Sequence, residues 1–282
     1  MLTTLVAGLS LGAIYCLVAI GYSLIYTTTG VFNFAHPQLV MLGTFIAYWG
    51  IVTMELPIVV VFLVAGLVVG LVALIVEKIA IGPLQGRGAH GELLTTVGVA
   101  TLLDGVTSLI WGREPLRVPF FGAEESMKVF GTSLGWNGLL LIATAAVAAV
   151  GVHQWSRRSM MGLTSLATAE DREAARLRGI NVRMLSVGIV VATGVFAGLT
   201  GPILGPSTYA VVSLAPALAI RGFIVMFIGG LGNPIGVLIG GMTLGMIEVY
   251  GGLWIGDQYR GLIVLAVLLT VLLAKPSKER VV

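Results

Sequence analysis

The chain has 282 residues, of which 57% are apolar and only 10% charged, with a formal charge of +3. A soluble domain carries about 25% charged residues, so this chain could not coat a globular surface, and a secreted, cytosolic or nucleic-acid-binding domain is excluded. Crossing hydrocarbon takes about 20 helical residues, so the apolar content suffices for about eight spans of a polytopic membrane protein.

Hydrophobic windows at 2–26, 38–54, 57–76, 93–111, 134–153, 184–204, 211–230, 235–252 and 259–274 predict nine helices, within a range of 8–10 spans. They lack the alternation of barrel strands, and an open sheet edge would stay unsatisfied in lipid. The expected fold is all-α, a transmembrane helix bundle forming a single domain over 1–282. The start, Met1-Leu2-Thr3-Thr4, lacks the basic region of a cleavable signal, so the first window is expected to be retained. Cys16 stands alone, which excludes an intrachain disulfide and a cysteine metal cluster.

Between the first two windows, Asn33 and His36 sit in a Phe- and Ala-rich stretch too apolar for an ordinary loop. Such interruptions persist where protein or a cavity surrounds them, and transporters place them near substrate. The competing reading is capping of the next helix, with Pro37 in its first turn. Further along, Asp104, Arg221 and Glu248 lie inside windows, where an ionisable group costs at least about 2.5 kcal/mol and needs a reason. They line a translocation path or gate, or they pair structurally, Asp104 with Arg221 being one such pair. Gly232, Gly236 and Gly240 repeat every four residues, as do Gly66-Gly70, Gly194-Gly198 and Gly201-Gly205, which predicts close helix packing.

Two segments outside the windows are long enough to hold structure. About 112–133 mixes Gly, Pro and both charges and reads as an external loop. About 156–183 carries Arg157, Arg158, Arg172, Arg176, Arg178 and Arg183, and shares its side with Lys78, Arg87, Lys275, Lys278 and Arg280 if the spans alternate. By the positive-inside rule that side is cytoplasmic, the C-terminus with it, and nine spans put the N-terminus outside. Within this segment 168–179 is expected to be one short helix. Thr168 is placed as N-cap, Asp171 in the capping-box position, Glu170 and Glu173 near the positive end, Arg176 and Arg178 near the negative end, and Gly179 as terminator.

The order Glu173-Ala174-Ala175, three residues, then Gly179 resembles the EAA-x3-G signature of ABC importer permeases. Ile189 follows at the family's offset, while Val191-Ala192 replaces its Leu-Pro. Gly30-Val31-Phe32-Asn33-Phe34-Ala35-His36 with Met41-Leu42-Gly43 resembles a segment of the LIV-type, branched-chain amino-acid permeases, with Pro37 where that family has glycine. Gly8 through Tyr15 and Gly229 through Pro234 resemble its first helix and its glycine-rich late segment. The resemblance runs from about residue 5 to 274.

It implies an inner-membrane permease subunit that moves branched-chain amino acids with a coupling helix docked on an ATP-binding partner. Glu170, Asp171, Glu173, Ala174, Ala175, Arg178 and Gly179 are the implied contact. Asn33, His36, Asp104, Arg221, Asn233 and Glu248 are candidates for the path or gate. The implied partners are a homologous second permease, two ATP-binding subunits that hold ATP and Mg, and a periplasmic substrate-binding protein. This chain itself is expected to hold no cofactor, and it has no G-x-x-x-x-G-K-[ST]. Urea, short amides or other amino acids remain open as substrates. So do a passive channel, suggested by Asn233-Pro234, and an ion-coupled carrier using Asp104 and Glu248. A membrane enzyme has little to stand on, with no H-E-x-x-H and with His36, His90 and His153 scattered.

Overall fold

The computed structural model describes residues 1–84, 89–120, 127–129 and 132–274. Each of the nine windows holds a helix: α1 (Leu2–Thr29), α2 (His36–Tyr48), α3 (Ile58–Val76), α4 (Ala89–Trp111), α5 (Trp136–Arg158), α8 (Val182–Thr208), α9 (Leu214–Gly229), α10 (Pro234–Ile255) and α11 (Arg260–Ala274). Two further helices, α6 (Met160–Glu170) and α7 (Arg172–Leu177), stand between α5 and α8. A small antiparallel hairpin, β1 (Met127–Val129) with β2 (Thr132–Leu134), lies between α4 and α5.

Among the described residues six helices are long and apolar enough to cross a membrane: α1, α3 with its π-helical continuation to Ile81, α4, α5, α8 and α10. The chain is a multi-pass membrane protein. The helices α9 and α11 have 16 and 15 residues, and α2 has 13 with a π-helical continuation of 5 over Trp49–Thr53, all short of the about 20 residues of a full crossing. For α2 the cause is visible. Gly30 closes α1 in the left-handed region (φ 71°), and in the non-helical stretch that follows Val31, Asn33 and Ala35 are buried and Phe32 and Phe34 half-buried, so the chain turns back into the bundle. The imidazole of His36, the first residue of α2, packs on Gly21, eight residues before the end of α1, so α2 starts inside the bundle. Stacked and tilted rings of Tyr26, Phe32, Phe34, Phe223 and Phe227 fill the space around the break.

Helix α1 runs through the middle of the bundle and touches α2, α5, α6, α8, α9 and α10. Its tightest neighbour is α10. A Cβ on Gly12 would collide with the carbonyl of Gly241, and one on Gly245 with the backbone of Gly8 and Gly12. Small residues let two backbones approach to direct contact, where dispersion does what the hydrophobic effect cannot do in lipid. Glycines also meet between α3 and α8 (Gly66 and Gly70 against the face holding Gly194 and Gly198) and between α2 and α8 (Gly43 against Gly201). The close packing expected of the 232–236–240 repeat holds for Gly236 and Gly240, but the three do not form one helix face. Gly232 lies in the turn before α10 with φ 75°, Gly236 and Gly240 pack on the end of α9, and the contact with α1 is made by Gly241 and Gly245. Gly12→Val is expected to separate α1 from α10, costing about 1–3 kcal/mol or more. Thermal unfolding in detergent checks this, and Gly12→Ala should show a smaller loss.

The helices define two ends. At one, the end of α1 meets α6 and α7, the end of α3 meets the start of α8, and α5 ends beside the start of α10. At the other, the start of α1 shares a crevice with the start of α5 and the end of α8.

Candidate functional site

The α7 end carries the densest polar structure. Ser159 caps α6 by accepting from the Gly162 amide at 2.9 Å. The expected single helix 168–179 is corrected: Thr168 lies inside α6, where its hydroxyl donates to the Thr164 carbonyl, and α6 stops at Glu170. Asp171 turns extended and caps α7, its Oδ1 accepting from the Ala174 amide at 2.9 Å. A short acidic side chain that bonds its own downstream amide competes with helix continuation, which is why the break falls there. Gly179, at φ 85°, closes α7 with two hydrogen bonds, its own amide to Arg176 O and that of Ile180 to Ala175 O. This is the glycine-terminated arrangement expected for a left-handed cap.

Helix α7 has an inward and an outward side. Arg172 donates to the carbonyl of Thr29, where the α1 dipole is negative, and Ala175 is buried. Beside this contact, in α6, Ser165 shares a hydrogen bond with Thr28 of α1. Glu173, Arg176, Arg178 and Gly179 are exposed, as are Glu170 and Asp171, while Ala174 is half-buried. Leu177 is 89% exposed at the tip. Ala175 therefore faces the bundle, and the outward surface is charged residues around one leucine, a feature the motif alone does not flag.

Behind α7 stands Glu77, 1% exposed, accepting from Ser186 of α8 at 2.7 Å. The charges of Arg172 and Arg183 act on it. Sequence reasoning missed Glu77 because it follows the third window and precedes Lys78, which reads as the start of a loop. The helix instead continues as a π-helical turn over 77–81 and keeps the carboxylate inside.

Deeper in the bundle, Arg221 of α9 pairs with Glu248 of α10, not with Asp104. Arg221 Nη2 donates to Glu248 Oε1 at 2.7 Å and Nε reaches both carboxylate oxygens. Tyr15 of α1 donates to Glu248 Oε2 at 2.7 Å, and its ring faces the guanidinium at 5.6 Å. The Arg221 and Glu248 side chains are 22% and 3% exposed, so one buried cluster joins α1, α9 and α10. The break before α2 holds Asn33, whose Oδ1 accepts from the Ala35 amide at 3.0 Å in a tight turn, and fully buried His36 tilted against Tyr22. Asn33 thus braces the turn that leads into α2 and does not cap the helix, whose N-cap position is Ala35 with no side-chain cap bond. Asn233 is exposed at the α7 end and caps α10 through the Gly236 amide. Asp104 stands apart on α4. Gln38 of α2 hydrogen-bonds it, Oδ1 has no partner among the described residues, and the side chain borders a crevice at the end opposite α7.

No group of three or more His, Cys, Asp or Glu residues that could hold a metal occurs among the described residues. The described residues form a helix bundle in which α7 is anchored inward through Arg172 and Ala175 and an ion pair joins α9 to α10.

Comparison with known proteins agrees. The sequence profile of the family described as branched-chain amino acid transport system / permease component matches residues 4–272. The permease protein BraD of a high-affinity branched-chain amino acid transport system in Pseudomonas aeruginosa is 28% identical, over 98% of this chain and 94% of that one. LivH of the corresponding Salmonella typhimurium system is 27% identical, over 96% and 92%. A probable LivH of Methanocaldococcus jannaschii is 28% identical over 82% and 75%. Among solved structures, PsaBC from Streptococcus pneumoniae in complex with Fab shares the fold, with a TM-score of 0.50 at 12% identity over 97% of this chain and 92% of that one. The chain belongs to the branched-chain amino acid transport system permease family and is a LivH-like permease of the ABC kind.

Proposed function

We propose that this chain is the permease subunit of a binding-protein-dependent ABC importer that carries branched-chain amino acids across the inner membrane. Its partners are a homologous second permease, two ATP-binding subunits that bind and hydrolyse ATP with Mg, and a periplasmic substrate-binding protein. The chain itself contributes no nucleotide site and no cofactor, and forms one permease domain over 1–282.

The observation that carries this reading is α7. A bare leucine among charges at the end of a membrane bundle, away from the lipid-facing flanks, suits a groove in another protein. The same helix is fastened inward by Arg172 to the end of α1. Helix α1 runs on to Tyr15 and the Arg221–Glu248 pair. A push on α7 therefore has a stiff member to act through, and a partner that contacts α7 differently with and without ATP can bias the bundle between states. Lys78, Arg157, Arg158, Arg172, Arg176, Arg178 and Arg183 all lie toward this end, which supports a cytoplasmic α7 and C-terminus. The sequence tail 275–282 lies outside the described residues.

A thiol placed at position 177 tests this. Cys16 is fully buried, so Leu177→Cys adds the accessible thiol for a photo-crosslinker. In the assembled transporter it should capture the ATP-binding subunit, with a yield that changes on adding ATP. Crosslinks to lipid alone would contradict the docking role.

A further inference from the structure

We infer that Glu77 is the joint through which α7 moves the α3–α8 part of the bundle, a positioning residue that links Arg172 of α7 to Ser186 of α8. This rests on the importer reading and adds a second route for a push on α7, beside the one through α1.

Two pairs of helices are locked backbone to backbone. One is α1 with α10, through Gly8, Gly12, Gly241 and Gly245. The other is α3 with α8, where a Cβ on Gly198 would collide with the Ala65 carbonyl and one on Gly194 with Ala73. Helices in such contact move together, because close-packed surfaces do not deform continuously.

Arg172 stands where the two pairs meet. It donates to the Thr29 carbonyl at the end of α1, and its charge acts on Glu77 at the end of α3. Glu77, 1% exposed, accepts at 2.7 Å from Ser186, the fifth residue of α8. Only residues 178–181 separate α7 from α8 along the chain, so a displaced α7 also draws on the start of α8 directly. A guanidinium carries five donors in a fixed fork. It can therefore serve a helix-end carbonyl and a carboxylate together, or shift between them and keep a partner. One cation held by acceptors on two different helix pairs is what a joint requires.

Stability alone does not require a carboxylate here. A well-packed apolar side chain in place of a buried ionic group is often neutral or stabilising, and the best-attested use of such groups is to fix register or to switch. The backbone points the same way. Helix α3 passes into a π-helical turn over Glu77–Ile81, and such turns are rare and frequent at functional sites.

The test uses the assembled transporter in proteoliposomes and reads leucine taken up per ATP hydrolysed, a ratio that the amount of folded protein does not move. Glu77→Gln keeps the side-chain size and an oxygen for Ser186 but removes the charge that Arg172 meets. The ATP-binding subunits should stay bound on size exclusion and hydrolysis should continue, while the ratio falls about tenfold or more. Arg172→Gln should lower it to a similar extent, and the double variant no further than either alone, as for residues that act as one link. Glu77→Asp, which keeps the charge, should restore most of the ratio. If Glu77→Gln fails to accumulate, Ser186→Ala takes its place, removing one hydrogen bond and lowering the ratio about fivefold. A native ratio in the variant measured would overturn the joint. So would uptake and hydrolysis that fall together in proportion to folded protein, which marks a structural anchor. Unchanged ratios beside native ATP-driven uptake remove the joint alone, whereas absent uptake by the unsubstituted transporter removes the importer reading on which it rests.

Discussion

Replacing Leu177 with Asp and Arg178 with Glu is expected to abolish ATP-driven uptake while leaving the bundle folded. Both side chains are exposed, and surface changes of this kind usually stay within about 0.5 kcal/mol of stability. At a docking interface the arithmetic differs. An anchoring residue lost from the centre of a contact costs about 2 kcal/mol or more, which is about thirtyfold in affinity. Reversing the charge of Arg178 adds repulsion to the lost contact. The purified variant should therefore unfold at the native temperature in detergent, fail to retain the ATP-binding subunits on size exclusion, and show no substrate-stimulated hydrolysis. Native uptake by the double variant would mean that α7 is only a connector.

The Arg221–Glu248 pair carries the second large expectation. Arg221→Ala would leave the carboxylate of Glu248, 3% exposed, with only the Tyr15 hydroxyl as side-chain partner among the described residues. Removing one member of a buried ion pair costs about 3–5 kcal/mol, because the remaining charge is stranded. That is a large share of a marginal stability, so the variant should accumulate poorly and unfold well below the native protein. Glu248→Gln is milder, since its amide oxygen still accepts from Arg221. In Arg221→Ala the further change Glu248→Gln should restore part of the loss, a non-additivity that marks direct contact. Function separates this structural role from ion coupling. A proton-relaying carboxylate would lose transport on conversion to Gln whatever its stability. Here uptake by Glu248→Gln should scale with the amount of folded transporter, read by quantitative immunoblot beside the uptake assay.

Much of the architecture is legible in hydropathy because each helix announces itself locally. All nine windows hold helices, and the apolar stretch through Asn33 correctly marks a break enclosed by protein. Legibility fails where the outcome depends on which helices meet. Nothing near Arg221 in sequence reports that Glu248 lies across the α9–α10 contact, and Asp104 is an equal candidate by composition. The start of α7 is ambiguous for a related reason. Thr168 and Asp171 are both sound caps, and only the packing of Thr168 inside α6 against the bundle decides for Asp171. Glu77 is concealed by the charged residue that follows it, and Leu177 by its place between two arginines. Glycine spacing shows that helices pack closely, yet the face of α10 that meets α1 is set by Gly241 and Gly245, one step around from the repeat that stands out on inspection.

The account turns on α7 being driven by nucleotide hydrolysis in a separate subunit, and reconstitution measures that directly. Proteoliposomes carrying this chain with its permease partner, the ATP-binding subunits and the substrate-binding protein should take up leucine when ATP is supplied on the α7 side. Omitting the ATP-binding subunits should bring uptake to background, and an imposed proton or sodium gradient should not restore it. Leucine entry at the full rate into vesicles that contain the permease alone, driven by such a gradient or by none, would contradict the account.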